Sequence, residues 1–178
     1  MKPNLRKFVR TAHVIFTVSW LGTVAAFLAL AIVGLTSQDA QMVRATYLAM
    51  DLIARYIIVP LSILPLLLTG PLLSLGTPWG LFRHYWILVK LVINILSTLI
   101  LLVHMQPISY MARVAAAGTL SSAHRGVQIQ LVVAAGAGLL ALLVATALAV
   151  YKPRGMTTYG WRKQHEERSV LSNEDVSM

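Results

Sequence analysis

Polar side chains recur at helical spacing inside long apolar stretches, and they are the residues of this chain that could do chemistry. In the third apolar stretch they are spaced 4, 4, 3 and 7 residues apart, which places them on one face of an α-helix: Trp86, Lys90, Asn94, Ser97 and His104. Similar faces run along the first and second stretches: Arg10, His13, Thr17 and Trp20; Asp51, Arg55, Ser62 and Thr69. Because an ionisable group is costly in a bilayer core, these faces should line a shared polar interior.

His13 is the first candidate for a ligand, since it lies inside an apolar helix and shares a face with Thr17 and Trp20. Imidazole is a common axial ligand of haem iron, and a four-helix bundle can hold a porphyrin between facing helices. The alternative is that His13 only packs against its neighbours. A membrane setting favours the functional interpretation.

Lys90 is the second candidate, because an ammonium group about five residues into a span must snorkel, pair or meet an anion. Snorkelling to the interface is the simpler interpretation. The more specific interpretation is that Lys90 binds a propionate of a haem or porphyrin. Trp86 and Asn94 are its neighbours on the same helix face. If the chain is an enzyme, Lys90 is the residue we expect to be catalytic.

His104 and His84 are further candidates for metal ligands. His104 shares a helix face with Lys90 but lies 14 residues further on, about 21 Å along the axis. His84 has the depth of His13 but points about 120° away from Lys90. Either there are two sites, and hence one or two haems, or only one of these histidines is a ligand.

A group of polar residues should lie near the opposite end of the bundle from His13. Asp51 and Arg55 have the i, i+4 spacing of a structural ion pair. They could instead belong to an external vestibule with His104, His124 and Gln128, suited to proton entry or a metal. The methionines have no tight repeat, so packing is the favoured interpretation over a copper site: Met42, Met50, Met105 and Met111.

Composition predicts an integral membrane protein of the all-α class. The 178 residues are 57% hydrophobic and only 12% charged, whereas soluble domains are about 25% charged. Four segments are long and apolar enough to span a bilayer, at 8–35, 47–75, 85–104 and 127–151. Short links between them predict an up-down-up-down four-helix bundle over 1–151, followed by a polar, disordered tail over 152–178. Pro60, Pro65 and Pro71 predict kinks in the second span.

Charge and cysteine usage narrow the possibilities. With the N-terminus in the cytoplasm, ten Lys and Arg residues fall on that side and three on the other, which predicts that both termini are cytoplasmic. The net charge of +9 is then explained by topology and by anionic lipid, without nucleic acid. Since the chain has no cysteine, disulfides, iron–sulfur clusters and thiolate zinc sites are excluded.

These residues resemble the superfamily of four-helix membrane proteins that contains the HemJ-type protoporphyrinogen oxidases and the CopD-like copper-resistance domain. The resemblance covers nearly all of 5–155 and depends on four short motifs in a shared order: Arg10-Thr11-Ala12-His13 with Ser19-Trp20-Leu21-Gly22; Pro65 to Gly70; Trp86, Lys90-Leu91 and His104; Tyr151-Lys152-Pro153. It implies that His13 and Lys90 correspond to the family's functional histidine and lysine. The longer interval from Lys90 to His104 and the Met105-Gln106-Pro107 sequence indicate an uncharacterised branch.

The resemblance implies a b-type haem protein of the bacterial cytoplasmic membrane, with redox or porphyrin chemistry near the cytoplasmic leaflet. A protoporphyrinogen-oxidase-like activity would be its enzyme form. The expected partners are the lipid bilayer, a membrane electron-transfer protein or quinone, and a second copy of the chain. Two alternatives stay open: a copper-handling or permease-like module using His104 and Met105, and a cofactor-free accessory subunit.

Overall fold

The computed structural model describes residues 3–69, 84–151, 155, 157–162, 165 and 169. Over these residues the chain is helical and contains no strand. Pro71, the predicted loop at 76–83 and most of the tail lie outside the described residues. The predicted all-α class is confirmed.

Four long helical stretches correspond to the four predicted spans. The first is α1 (Pro3–Thr36), the third is α4 (Tyr85–Ala116) and the fourth is α5 (Arg125–Tyr151), which follows a 3₁₀ turn at Ser122–His124. The second stretch comprises α2 (Ala40–Ile53), a π-helical turn (Ala54–Ile58), α3 (Val59–Leu64) and a second π-helical turn (Pro65–Thr69). Among the described residues, four helices are long and apolar enough to cross a membrane.

The third helix is longer than the predicted span. Instead of ending near His104, α4 continues through Pro107 to Ala116. Its end is marked by Gly118, whose φ of +68° is readily adopted only by glycine and whose backbone N–H bonds to the Ala115 carbonyl. The residues between the predicted end of this span and Ala116 are therefore the last part of one continuous helix.

The second stretch changes its helical winding where proline was expected to disturb it. Proline lacks a backbone N–H and its ring clashes with the carbonyl four residues earlier, so it disturbs a regular α-turn. Pro60 follows the first π-helical turn directly at the start of α3, and Pro65 begins the second. The extra residue in each widened turn accommodates the proline without ending the stretch.

The helices form a closed ring. α1 packs against α2 and α5, and α4 also packs against α2 and α5, so that α1 and α4 lie opposite each other. α3 contacts both α1 and α4. The core between them contains large side chains that are almost completely buried: Trp20, Tyr47, Met50, Met111 and Leu131.

One end of the ring is held by a close approach of α1 and α2. The helices are joined by residues 37–39, and Asp39 caps α2 by accepting a hydrogen bond from the Gln41 backbone N–H at 2.9 Å. The Tyr47 ring packs directly over Gly34, and the Gln128 side-chain amide of α5 donates to the Gly34 carbonyl at 3.3 Å. Three helices therefore meet at one glycine.

We expect Gly34→Ala to destabilise the bundle. A Cβ at this position would lie 2.8 Å from Tyr47 Cζ, and Tyr47 is only 1% exposed, so the ring has no space to move into. The overpacking should cost about 1–3 kcal/mol. The measurement is the thermal unfolding midpoint of the purified protein in detergent.

The control for this prediction is Gly22→Ala on the same helix, where nothing lies within 4 Å of the added Cβ. Alanine is favoured over glycine inside a helix, so this variant should match or exceed the parent in stability. A midpoint for Gly34→Ala equal to that of Gly22→Ala would contradict the close packing.

Candidate functional site

The polar face predicted for the third helix points into the bundle. Asn94 and Thr98 are buried, and Lys90, Ser97 and His104 are half-buried. On the outer side of the same helix the pattern is reversed, since Val92 is 53% exposed and Val103 is 72% exposed. Polar groups inside and large apolar groups outside are typical of a helix surrounded by lipid.

His13 and Lys90 interact electrostatically although they belong to different helices. They come from the opposite helices α1 and α4, yet the Lys90 ammonium lies close enough to act electrostatically on the His13 imidazole. Both side chains are half-buried. Thr17 lies one turn further along α1, and its hydroxyl donates a hydrogen bond to the His13 backbone carbonyl at 2.9 Å. The two leading candidates from the sequence are thus brought together.

Lys90 has no carboxylate near it in the part of the chain that the structure describes. The only acidic residues described are Asp39 and Asp51. Asp51 accepts a hydrogen bond from Ser109, which lies 19 residues beyond Lys90 on α4, about 28 Å along the axis. A half-buried ammonium is an attractive position for an anionic group.

The remaining residues of the predicted cytoplasmic-side site are close to Lys90 along α4. His84 directly precedes the helix in extended conformation, and its ring lies 6.3 Å from the Trp86 ring, centroid to centroid. Trp86 is half-buried one turn before Lys90, and Asn94 is buried one turn after it. The structure therefore places Trp86 and Asn94 beside Lys90 and pairs His84 with Trp86.

A second feature, which we call the lateral cavity, lies further along the bundle and was not expected from the sequence. It has a volume of about 390 Å³, within the range of small-molecule sites. Trp20 and Phe27 of α1 line it on one side, His104 of α4 on another, and Ala134 and Gly138 of α5 on a third. Trp20 thus lies between the two candidate histidines, on the helix of His13 but beside the cavity of His104.

His104 is oriented by its own helix. Its Nδ1 lies 2.8 Å from the Ile100 carbonyl oxygen. Because a carbonyl can only accept, a neutral imidazole here has its proton on Nδ1 and its lone pair on Nε2. This arrangement is common for histidines that bind a metal or accept a hydrogen bond through Nε2.

The lateral cavity is lined in part by small residues of the fourth helical stretch. In a sequence, such small residues are typical of close packing between helices. Ala134, Gly138 and Ala141 are spaced 4 and 3 residues apart, and all three line the cavity. A helix face of small residues leaves space as readily as it allows close approach, and only the position of the facing helix decides between these outcomes.

The polar residues at the end of the bundle far from His13 form separate groups and not one cluster. Asp51 and Arg55 form the predicted ion pair at 3.3 Å, and Ser109 bonds to both, donating to Asp51 at 2.6 Å and accepting from Arg55 at 2.9 Å. No pattern in the sequence indicates a role for Ser109. This triad ties the second helical stretch to α4.

The vestibule suggested for His104, His124 and Gln128 is not assembled. His124 Nε2 lies 3.2 Å from the Tyr110 hydroxyl, Gln128 bonds to the Gly34 carbonyl, and His104 bonds to its own helix. No group of three histidine or acidic side chains suited to a metal occurs among the described residues.

The features of this chain that bear on function are therefore the interacting His13 and Lys90, and the lateral cavity beside His104. Both lie in the bundle interior, on helices that the sequence predicted would carry polar faces. Compared with protein-family models, with curated proteins and with solved structures, the chain matches none in any of the three searches.

Proposed function

We propose that this protein spans the bacterial cytoplasmic membrane four times as an up-down-up-down bundle, with both termini in the cytoplasm. Large exposed side chains such as Phe8, Val103 and Leu140 are apolar, as contact with lipid requires. The ten-to-three distribution of Lys and Arg supports the orientation.

Alternation of helix direction is supported by contacts between distant parts of the chain. Gln128, near the start of α5, bonds to Gly34 near the end of α1. Ser109, late in α4, bonds to Asp51 in α2. At the other end of the bundle, the Tyr85 backbone N–H donates to the Gly155 carbonyl at 3.4 Å, so the start of α4 lies beside the chain that follows α5.

Cysteine labelling tests this topology, and the chain has no native cysteine to interfere. Cysteines replacing Ser37 and Ser172 are expected to react with a membrane-impermeant maleimide from opposite sides of the membrane. Ser122→Cys, at an exposed position before α5, should label from the same side as Ser37→Cys. Labelling of Ser37→Cys and Ser172→Cys from one side would refute the topology.

We further propose that the bundle binds a b-type haem near the cytoplasmic leaflet, with His13 as an axial ligand and Lys90 as the contact for a propionate. The observation that supports this most directly is the approach of His13 and Lys90 from opposite helices. An imidazole and an ammonium that interact within an apolar bundle match the iron and the carboxylates of a haem. Trp86 and Asn94 lie one turn on either side of Lys90, where they can contact the macrocycle.

A haem at this site supplies one-electron redox chemistry. The protein's own residues would position the haem and shield it from water. With haem bound, His13 would hold the iron, Lys90 would orient a propionate and offset its charge, and the surrounding helices would exclude water. Oxidation of a porphyrin-type substrate, with electrons passing to a quinone or a membrane partner, is the activity we assign to this arrangement.

An absorbance spectrum of the detergent-purified protein tests the haem proposal. We expect a Soret band, and a sharpened α-band after reduction with dithionite. A spectrum without a Soret band, from protein produced in haem-replete cells, would overturn the proposal and favour the copper-handling or accessory alternatives.

A further inference from the structure

We infer that the lateral cavity binds a lipophilic hydroquinone, which enters from the bilayer between α4 and α5 and donates a hydroxyl hydrogen bond to His104 Nε2. This site is separate from the proposed haem site at His13 and Lys90. It rests on the proposed membrane insertion and does not require haem to be bound.

The route of entry follows from which cavity-lining residues are also on the outer surface. Ile100 of α4 and Val133 of α5 both line the cavity, and they are 53% and 63% exposed. The cavity therefore opens between these two helices onto an apolar surface. In a bundle surrounded by lipid, such an opening admits molecules dissolved in the bilayer and not ions from water.

The shape and chemistry of the walls favour an aromatic ring. Two aromatic side chains, Trp20 and Phe27, line the α1 side, and ring pairs in offset or tilted contact contribute beyond their buried area. On the α5 side, Ala134, Gly138 and Ala141 leave a wall without bulky side chains, against which a planar ring can lie.

The polar groups of the cavity favour a ligand with a hydroxyl. With the proton of His104 on Nδ1, its Nε2 is an acceptor for which the structure describes no donor. Because His104 lines the cavity and its Nε2 can only accept in this tautomer, a molecule with a hydroxyl group suits this wall better than a hydrocarbon chain does.

The experiment measures binding of decylhydroquinone and of its dimethyl ether to the full-length protein in nanodiscs, under anaerobic conditions. The two probes have the same ring and tail, but only the hydroquinone can donate a hydrogen bond. We expect the parent to bind the hydroquinone about tenfold more tightly than the ether. His104→Leu should remove this preference, and His104→Gln should retain part of it, because an amide oxygen can accept in place of Nε2.

A matched pair of glycine variants tests the location. Gly138 lines the cavity and Gly136 does not, and neither has an atom within 4 Å of an added Cβ. Gly138→Leu should therefore weaken binding of both probes by at least about tenfold. Gly136→Leu should bind like the parent, which controls for the effect of leucine on this helix.

Three outcomes would overturn the inference. The first is equal affinity of the parent for the two probes, which would indicate an apolar occupant such as a lipid chain. The second is parent-like binding by Gly138→Leu. The third is loss of a Soret band in His104→Leu, which would assign the cavity to haem. Because topology and haem content are measured separately, failure here is distinguishable from failure of the proposed function.

Discussion

His13→Ala is expected to abolish or strongly reduce the haem content of the purified protein while the chain still inserts into the membrane. The iron would lose an axial ligand. The helix would keep its apolar length, because α1 extends over 34 residues and alanine favours helix. The measurement is the ratio of Soret absorbance to protein absorbance, with membrane yield determined in parallel.

The matched controls for His13→Ala are His104→Ala and His84→Ala. His104 is half-buried like His13 but belongs to the lateral cavity, and His84 packs against Trp86 outside the helix. Both variants should retain haem. Unchanged haem in His13→Ala, together with loss in either of the others, would move the axial ligand to that histidine.

Lys90→Met is expected to weaken cofactor binding by about tenfold to a hundredfold with little loss of folded protein. Methionine keeps the length and apolar stem of lysine but removes the charge that would meet a propionate. Lys90→Arg should retain part of the function, since the charge survives in a different geometry. Haem affinity and protein yield are measured together for both variants.

The control for Lys90→Met is Lys7→Met, which removes a positive charge from an exposed position near the start of α1. This variant removes the same amount of positive charge without touching the interior. If Lys90→Met matches Lys7→Met in both affinity and yield, the lysine only snorkels to the interface and the propionate contact is excluded.

The four long apolar helices and the interior face of α4 could be predicted because the rules for helices in lipid depend only on length, hydropathy and the spacing of polar residues. A helix must be long and apolar to cross the bilayer, and a polar side chain within it must face other helices. Lys90, Asn94 and His104 follow these rules, and all three are buried or half-buried. The Asp51 and Arg55 ion pair was equally accessible from sequence, because it depends only on i, i+4 spacing.

Features that depend on how two helices are placed could not be predicted. Ser109 joins the ion pair from 58 residues away from Asp51, and no local pattern indicates that distance. The lateral cavity lies beside small residues of α5, whereas at Gly34 a small residue is closely covered by Tyr47. The same residue type therefore has opposite consequences at two places in one bundle.

The predicted polar face of the second stretch is only partly regular, and the reason is its winding. The spacing of Asp51, Arg55 and Ser62 assumed an uninterrupted α-helix. The π-helical turn at Ala54–Ile58 lies between the first and last of these residues and shifts their relative direction. Accordingly, the Arg55 side chain is 50% exposed whereas Ser62 is completely buried.

Each π-helical turn also changes how the second stretch would respond to the loss of one residue. One residue corresponds to about 100° of rotation in an α-helix. A π-helical turn covers about the same rotation as an α-turn but contains one more residue, so deleting a single residue within 54–58 would convert the wide turn into an ordinary one and leave Ser62 in the interior. The loss of one residue should therefore be tolerated better there than in the regular α-helix of Ala40–Ile53, where the same deletion would rotate everything beyond it.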